Sequence, residues 1–353
     1  MHYTIMSVGS TSVPSLIFHT EYLIIMNLSI FKLAYLGSQA KDTPHSGQNQ
    51  ILRFGNAQIV AETTDDIWMR QLGILPQPDW PLARLLWAGE PETIRGGVQD
   101  IGSCNLLLAQ PVHLSLQRDS FALDSLLELS GEEYLSLTTH LNNFFIEEGL
   151  TFIPSSTQQY WYLKTSSAWQ LTTASVQTAF HQNIQAWMPQ GQDASKLRQI
   201  INQVQMLLHE HPLNLRRSQQ GVLEINSIWF SRNSAFEQVD MVLPQQNTVL
   251  IGQNALIKAI SETYKLPYFA DISGAINAGA KDVIMLFDHT NSVSWDDIYN
   301  AVRARKIQQM TAHFPIVNST LQVSLMSLDC WKFWRKPSSF ESIFSILSKQ
   351  AKH

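Results

Sequence analysis

Two histidines stand one residue apart in "LLHEHPLN" (207–214), and imidazoles are the side chains that most readily hold a transition metal or move a proton near neutral pH. Residues at i and i+2 do not share a helix face, so His209 and His211 could ligate one ion only from extended backbone. Zinc would want a third and a fourth ligand, and no spacing supplies them. The plainer reading is a helix end. A helix running to His209 leaves its last carbonyls unsatisfied beside an imidazole, while Pro212 forbids continuation and holds His211 extended.

Late in the chain, Asp288 and His289 in "FDHTN" (287–291), with Asp296 and Asp297 beyond them, gather carboxylates and an imidazole a second time. Such a run serves equally as a strand-to-turn junction, where Asx side chains bond their own backbone. His113, in the apolar "AQPVHL" (109–114), reads as a core histidine. Cys104 and Cys330 lack a C-x-x-C spacing, which supports neither a disulfide framework nor a cysteine-rich zinc site and fits a reducing compartment. "GVQDIGSCN" and "SGAINAGAKD" lack the spacing of a phosphate loop, and there is no G-x-S-x-G elbow. Trp331, Trp334 and Arg335 offer a cation–π surface for a docked partner, or an anchor for the C-terminal tail.

The elements that must position these groups are readable in part. Ser130 and Glu133 form a capping box, and Gly149 ends the helix that follows. Strands are expected over 105–116, 150–153, 158–165 and 224–231, with Pro111 marking a bulge or a strand start. Asp193 caps a helix over 194–210 whose Leu197, Ile200, Ile201, Val204, Leu207 and Leu208 follow helical spacing. Beyond 233 the pattern alternates: strands at 247–252, 281–288 and 321–328, a helix at 255–264, and a longer helix at 295–314 capped by Ser294 and Asp297. A short amphipathic helix is expected after Pro337. The stretch 38–56 is polar and turn-rich and reads as a loop, and the apolar 15–37 as a core-forming strand or helix.

With 353 residues, 44% hydrophobic and 15% charged, the chain has a globular composition and room for two packed subdomains. A formal net charge of −5, without a strong basic patch, argues against nucleic acid. His19, Glu21 and Lys32 interrupt the apolar start, so no stable membrane span is expected, and the cytoplasm is the expected location.

"HEHPLNLRRSQQGVLEINSIWFSRN" resembles a segment of the archaeal-type cofactor-independent phosphoglycerate mutases, with His211, Pro212, Asn214, Arg217, Gly221 and Asn226 in the order of that family's motif. The chain is also similar to the proteobacterial regulatory proteins of the RpfE type, often labelled phosphoglycerate mutases. The match runs through "DWPLA" (79–83), "AQPVHL", "QMLLHEHPLN" (205–214), "INSIW" (225–229) and "CWKFWRKP" (330–337).

The resemblance implies an α/β, alkaline-phosphatase-like three-layer core with an inserted α+β subdomain. The implied division is an N-terminal segment and loop (1–60), a core from 61–104 and 234–330, the insert at 105–233, and an aromatic and basic tail at 331–353. Mutases of that superfamily hold two divalent cations on several aspartates and histidines beside a serine nucleophile. Here no aspartate precedes Asp42, and the motif's arginine-glycine pair has become Ser231 and Arg232. The expectation is therefore a phosphoglycerate-mutase-like protein without the two-metal centre. It would have no catalytic residue or cofactor, and would grip a phosphorylated small molecule or a protein partner through His211, Asn214, Arg217, Asn226 and Arg232. One alternative is a metal-dependent mutase or phosphohydrolase with a divalent ion such as manganese on Asp288, His289, Asp297 and His209 or His211. The other is a purely structural role for the motif.

Overall fold

The structure is a computed structural model that describes residues 26–32, 46–74, 80, 82–96, 106–118, 120–231, 248–252, 255–287, 294–316, 319–336 and 343. The chain opens with β1 (Asn27–Lys32), α1 (Ser46–Phe54), β2 (Asn56–Val60), α2 (Thr64–Gln71), α3 (Leu82–Gly89) and α4 (Glu92–Arg95). It continues through β3 (Leu106–Leu116), β4 (Phe121–Leu126), α5 (Gly131–Phe144), β5 (Thr151–Pro154), β6 (Trp161–Lys164), α6 (Val176–Ala179), α7 (Ala194–His209), α8 (Pro212–Gln219) and β7 (Ser227–Ser231). It closes with β8 (Thr248–Ile251), α9 (Ala255–Tyr264), β9 (Tyr268–Phe269), α10 (Ile272–Asn277), β10 (Asp282–Phe287), α11 (Trp295–Arg303), β11 (Gln309–Ile316) and β12 (Ser319–Met326).

Seven strands form a mixed sheet in the order β2-β12-β11-β1-β10-β8-β9. β1 pairs in parallel with both β10 and β11, and β12 alone runs against its neighbours. Alternation along β1 assigns its side chains to two faces: Leu28 and Ile30 pack with α1, α10 and α11, and Phe31 with α2, α3 and α9. The core is thus a sheet covered by helices on both faces, the three-layer α/β plan expected.

Two expectations fail on this sheet. The apolar stretch 15–37 does supply a core strand, the central β1, but the polar stretch 38–56, read as a loop, contains α1. Its burial rests on Gly47, Ile51, Leu52 and Phe54. A Cβ on Gly47 would stand 2.4 Å from the backbone of Trp295, so glycine there lets α1 and α11 meet. The helix expected over 295–314 stops at Arg303. Arg305 adopts a left-handed φ of 60°, the chain turns, and 309–316 enters the sheet as β11 between β1 and β12. A short apolar run such as this suits either period, and two open strand edges decide it.

The second sheet has the order β4-β3-β6-β5, with β7 also paired to β3. The register between β3 and β4 shifts at His113/Leu114, two residues beyond Pro111, in keeping with the bulge expected there. One face packs on α5 and α7 around Trp161, Phe152 and Phe230. The other face, through Leu106, Leu108, Tyr160 and Tyr162, joins the core under α3. At that joint Glu90, 2% exposed, accepts hydrogen bonds from Tyr162 Oη at 2.9 Å and from the Ser156 N–H at 3.1 Å.

Candidate functional site

The chain past Leu208 folds as the proline requires. His211 is extended (φ −72°, ψ 129°), Pro212 occupies the first turn of α8, and the imidazole caps that helix by accepting the Leu213 N–H on Nδ1 at 3.2 Å. An accepting Nδ1 is a neutral ring, and burial, followed by the nearby His140 and Arg216, holds the His211 pKa below its ordinary value. The ring beside His211 is His140, edge-on at 4.7 Å; His209 is exposed.

The motif residues do come together, but they face inward. Asn214 donates to the carbonyls of Leu208 (2.8 Å) and Ile225 (2.7 Å) and accepts the Ile225 N–H (2.8 Å). Asn226 pairs with both backbone groups of Leu114, at 2.7 and 2.8 Å, which continues the β3–β7 ladder past the end of β7. An amide carries the same donor and acceptor as a peptide unit, so it can substitute for one residue of a strand. Arg217 is buried; Nε donates to the Leu223 carbonyl at 2.7 Å and Nη1 to Glu133 at 3.0 Å. The groups assigned to a ligand thus bond the chain's own backbone and a capping box. His113 is likewise engaged, 2.8 Å from the Glu224 carbonyl.

Arg232, Asp288 and His289 lie outside the described residues, as does Cys104. Asp297 is an exposed cap of α11, bonded to Ser294. Among the described residues no group of three or more His, Cys, Asp or Glu could hold a metal ion.

A concavity lies elsewhere, between the two sheets. β12 runs antiparallel to both β11 and β2, so β2 runs the same way as β1, and the turn after β2 reaches the carboxyl edge of the large sheet. That edge is where open α/β sheets bind ligands. There Thr63, Asp65, Asp66 and Trp80 face the segment 172–190 of the second unit across a cleft of about 410 Å³, in the size range of small-molecule sites. The first wall is fixed by a capping box: Asp66 receives the Thr63 N–H and hydroxyl on Oδ2 (3.3 and 2.7 Å) and the Trp80 indole N–H on Oδ1 (2.8 Å). Asp65 receives the Trp68 indole N–H at 3.0 Å.

The opposite wall is fixed by backbone. Thr172 and Gln190 exchange both peptide hydrogen bonds, Trp229 holds the Ala174 carbonyl at 2.8 Å, and Trp187 spends its N–H on Gln182 at 3.0 Å. Gly191 follows at φ 112°, where a Cβ would meet the Gln170 carbonyl at 2.7 Å. Sequence reasoning missed this cleft. Its one sequence signal is Thr63-x-x-Asp66, a capping pattern that locates α2; nothing in the sequence links it to 172–190.

Comparison of the sequence with protein-family models and with curated proteins finds no match. Among solved structures, the chain is similar to the cofactor-independent phosphoglycerate mutase from Thermoplasma acidophilum DSM 1728. The two are 13% identical over 86% of this chain and 89% of that one, with a TM-score of 0.32. It is also similar to the PH0037 protein from Pyrococcus horikoshii, at 12% identity over 86% and 87% with a TM-score of 0.37. Overlap at that level assigns no residue a role, and the RpfE-type resemblance rests on the quoted motifs alone.

Proposed function

We propose that this is a small-molecule-binding protein on a phosphoglycerate-mutase-like plan, without the paired-metal centre of an enzyme, and that its ligand enters the cleft between Thr63–Trp80 and 172–190. The observation that carries this reading is the cleft itself: a concavity at the carboxyl edge of the sheet whose two walls are each held rigid from behind. Its acids, Asp65 and Asp66, are two adjacent carboxylates bonded by indole and hydroxyl donors, whereas paired-ion phosphoryl transfer wants several acidic and imidazole ligands around a nucleophile. The constellation of His211, Asn214, Arg217 and Asn226 is then architecture. It sets the α7–α8 corner and the entry to β7, and so supports the second unit that forms the far wall.

The test is thermal denaturation of the full chain with anionic, neutral and cationic probes (3-phosphoglycerate, glucose and agmatine), repeated on Trp187→Leu, together with assay of 3-phosphoglycerate turnover in manganese. A melting shift from any probe that is lost in Trp187→Leu, with no turnover, supports binding at the cleft. Manganese-dependent turnover overturns it in favour of a metal-dependent enzyme, the reading in which Asp288 and His289 are ligands.

A further inference from the structure

We propose that the aromatic and basic turn after β12 docks on the surface of an anionic phospholipid bilayer. This contact is independent of the cleft and of the function proposed for it.

Leu328, Trp331, Phe333 and Trp334 are 71%, 59%, 78% and 68% exposed, and Met326 at the end of β12 is 47% exposed. Single apolar side chains on a surface are ordinary, but a group of them in one turn marks a contact surface. The Phe333 and Trp334 rings meet edge-on at 5.3 Å. The turn that presents them is fastened to the core. Arg53 at the end of α1 donates to the carbonyls of Phe333 (3.0 Å) and Arg335 (2.7 Å), and Arg335 donates back to those of Phe54 (2.8 Å) and Gly55 (2.7 Å).

The charge around the rings is positive. Arg53 and Arg335 spend their donors on backbone carbonyls and the Asn56 amide, and Arg303 at the end of α11 lies over the Trp331 ring, 5.4 Å from its centre. Among the described residues no carboxylate pairs with any of these three arginines. Asp329, the acid inside the turn, is buried and matched by Lys332. Arg305 and Lys306 are exposed and follow Arg303 in the chain. The partner that fits this face is an anion with an apolar interior.

A bilayer has both, with phosphates at the level of the guanidinium groups and acyl chains below them for Leu328, Phe333 and Met326. Tryptophan suits the boundary between the two, apolar in its rings and polar at its N–H, and the indole N–H groups of Trp331 and Trp334 have no partner among the described residues. A second copy of the chain fits less well, because two such faces would bring arginine against arginine. The turn also lies at the right edge of the large sheet. β1 and β11 begin there and β12 ends there, opposite the carboxyl edge where the cleft opens. Docking by this turn leaves the cleft facing water.

Co-sedimentation of the full chain with vesicles of phosphatidylcholine, and of phosphatidylcholine mixed with phosphatidylglycerol, tests the assignment. The chain should bind the mixed vesicles and not the neutral ones, and should release them as salt rises. Affinity should fall at least about tenfold when Phe333→Ser is combined with Trp334→Ser, and about fivefold in Arg303→Gln. Neither change touches a side chain that fastens the turn, so urea unfolding should stay as in the parent chain. No binding to mixed vesicles, equal binding to both kinds, or binding undiminished in the double variant overturns the proposal. Without vesicle binding, binding of single-stranded DNA or polyglutamate would replace the bilayer by an acidic polymer. A dimer in light scattering that the double variant abolishes, again without vesicle binding, would replace it by a second copy.

Discussion

Arg217 meets Glu133 at 3.0 Å across 84 positions of sequence, which ties α8 to the capping box that opens α5. Burial raises the Glu133 pKa, but the Ser130 N–H and Arg217 outweigh it, and the carboxyl sits below its usual range. Arg217→Met leaves that carboxylate and the Leu223 carbonyl short of partners, and should lower the unfolding free energy in urea by on the order of 3 kcal/mol. Affinity at the cleft should be unchanged. A loss of ligand binding without loss of stability would return Arg217 to the role of a ligand clamp.

Asn214 and Asn226 each stand in for a strand residue, and Asn142 does so a third time by pairing with both backbone groups of Phe152 at 2.7 and 3.0 Å. Asn214→Ala strands the carbonyl and the N–H of Ile225 in a buried corner, at about 1–3 kcal/mol for each group that relaxation fails to satisfy, while the Leu208 carbonyl keeps the His211 N–H at 3.2 Å. Amide hydrogen exchange gives a local readout. The Ile225 N–H should lose protection in Asn214→Ala and the Leu114 N–H in Asn226→Ala, each with its neighbours little changed.

His313 stacks on Phe31 with ring centres 4.2 Å apart, is 1% exposed, and among the described residues has no hydrogen-bond partner for either nitrogen. Burial pushes its pKa down to about 4. As pH falls, the unfolded chain takes up the proton first, near an ordinary histidine value of about 6.5. The stability contribution is therefore complete above about pH 6.5 and is lost progressively between there and about 4, a total on the order of 3 kcal/mol. His211, also held low, adds in the same direction. His313→Phe should flatten the pH dependence of unfolding over that window; an unchanged slope would assign it to other groups.

Glu90 follows α3, while Tyr162 and Ser156 belong to the β5–β6 hairpin, so their hydrogen bonds lock the second unit onto the helix layer of the first. Burial raises the Tyr162 pKa well above its ordinary value, which keeps the hydroxyl proton available to the carboxylate. Tyr162→Phe should cost about 1–3 kcal/mol, and Glu90→Gln should soften that loss when combined with it, because the charge left unpaired is gone. Additive effects in the double variant would mean that the two groups do not interact.

Which features could be read from the sequence follows from the range of the forces involved. The capping box at Ser130, the α7 face and the strand β10 each depend on residues within a few positions of one another, and the sequence displays them. β11 does not, because "IQQMTAHF" suits either period until open strand edges claim it. The chemical types in "HPLNLRR" were legible, but not that Asn214 and Arg217 point at Ile225, Leu223 and Glu133 rather than at solvent. The cleft was invisible for a similar reason. Its two walls lie some hundred residues apart, and neither the Thr63-x-x-Asp66 cap nor the Trp80 of "DWPLA" on one wall says that the hydroxyls and indole of 172–190 face it.

The central place of β1 also sets a timetable for synthesis. Asn27 pairs with Asp282, 255 positions later. At ribosomal speeds of about 5–20 residues per second, the sheet's middle strand waits on the order of ten seconds to a minute for that neighbour to emerge. The five-strand unit draws its ladders from 106–231 alone and can close during the delay. A nascent chain paused before residue 282 therefore carries a finished inner unit beside an apolar strand with neither flank covered, and that is the point at which it most needs a chaperone.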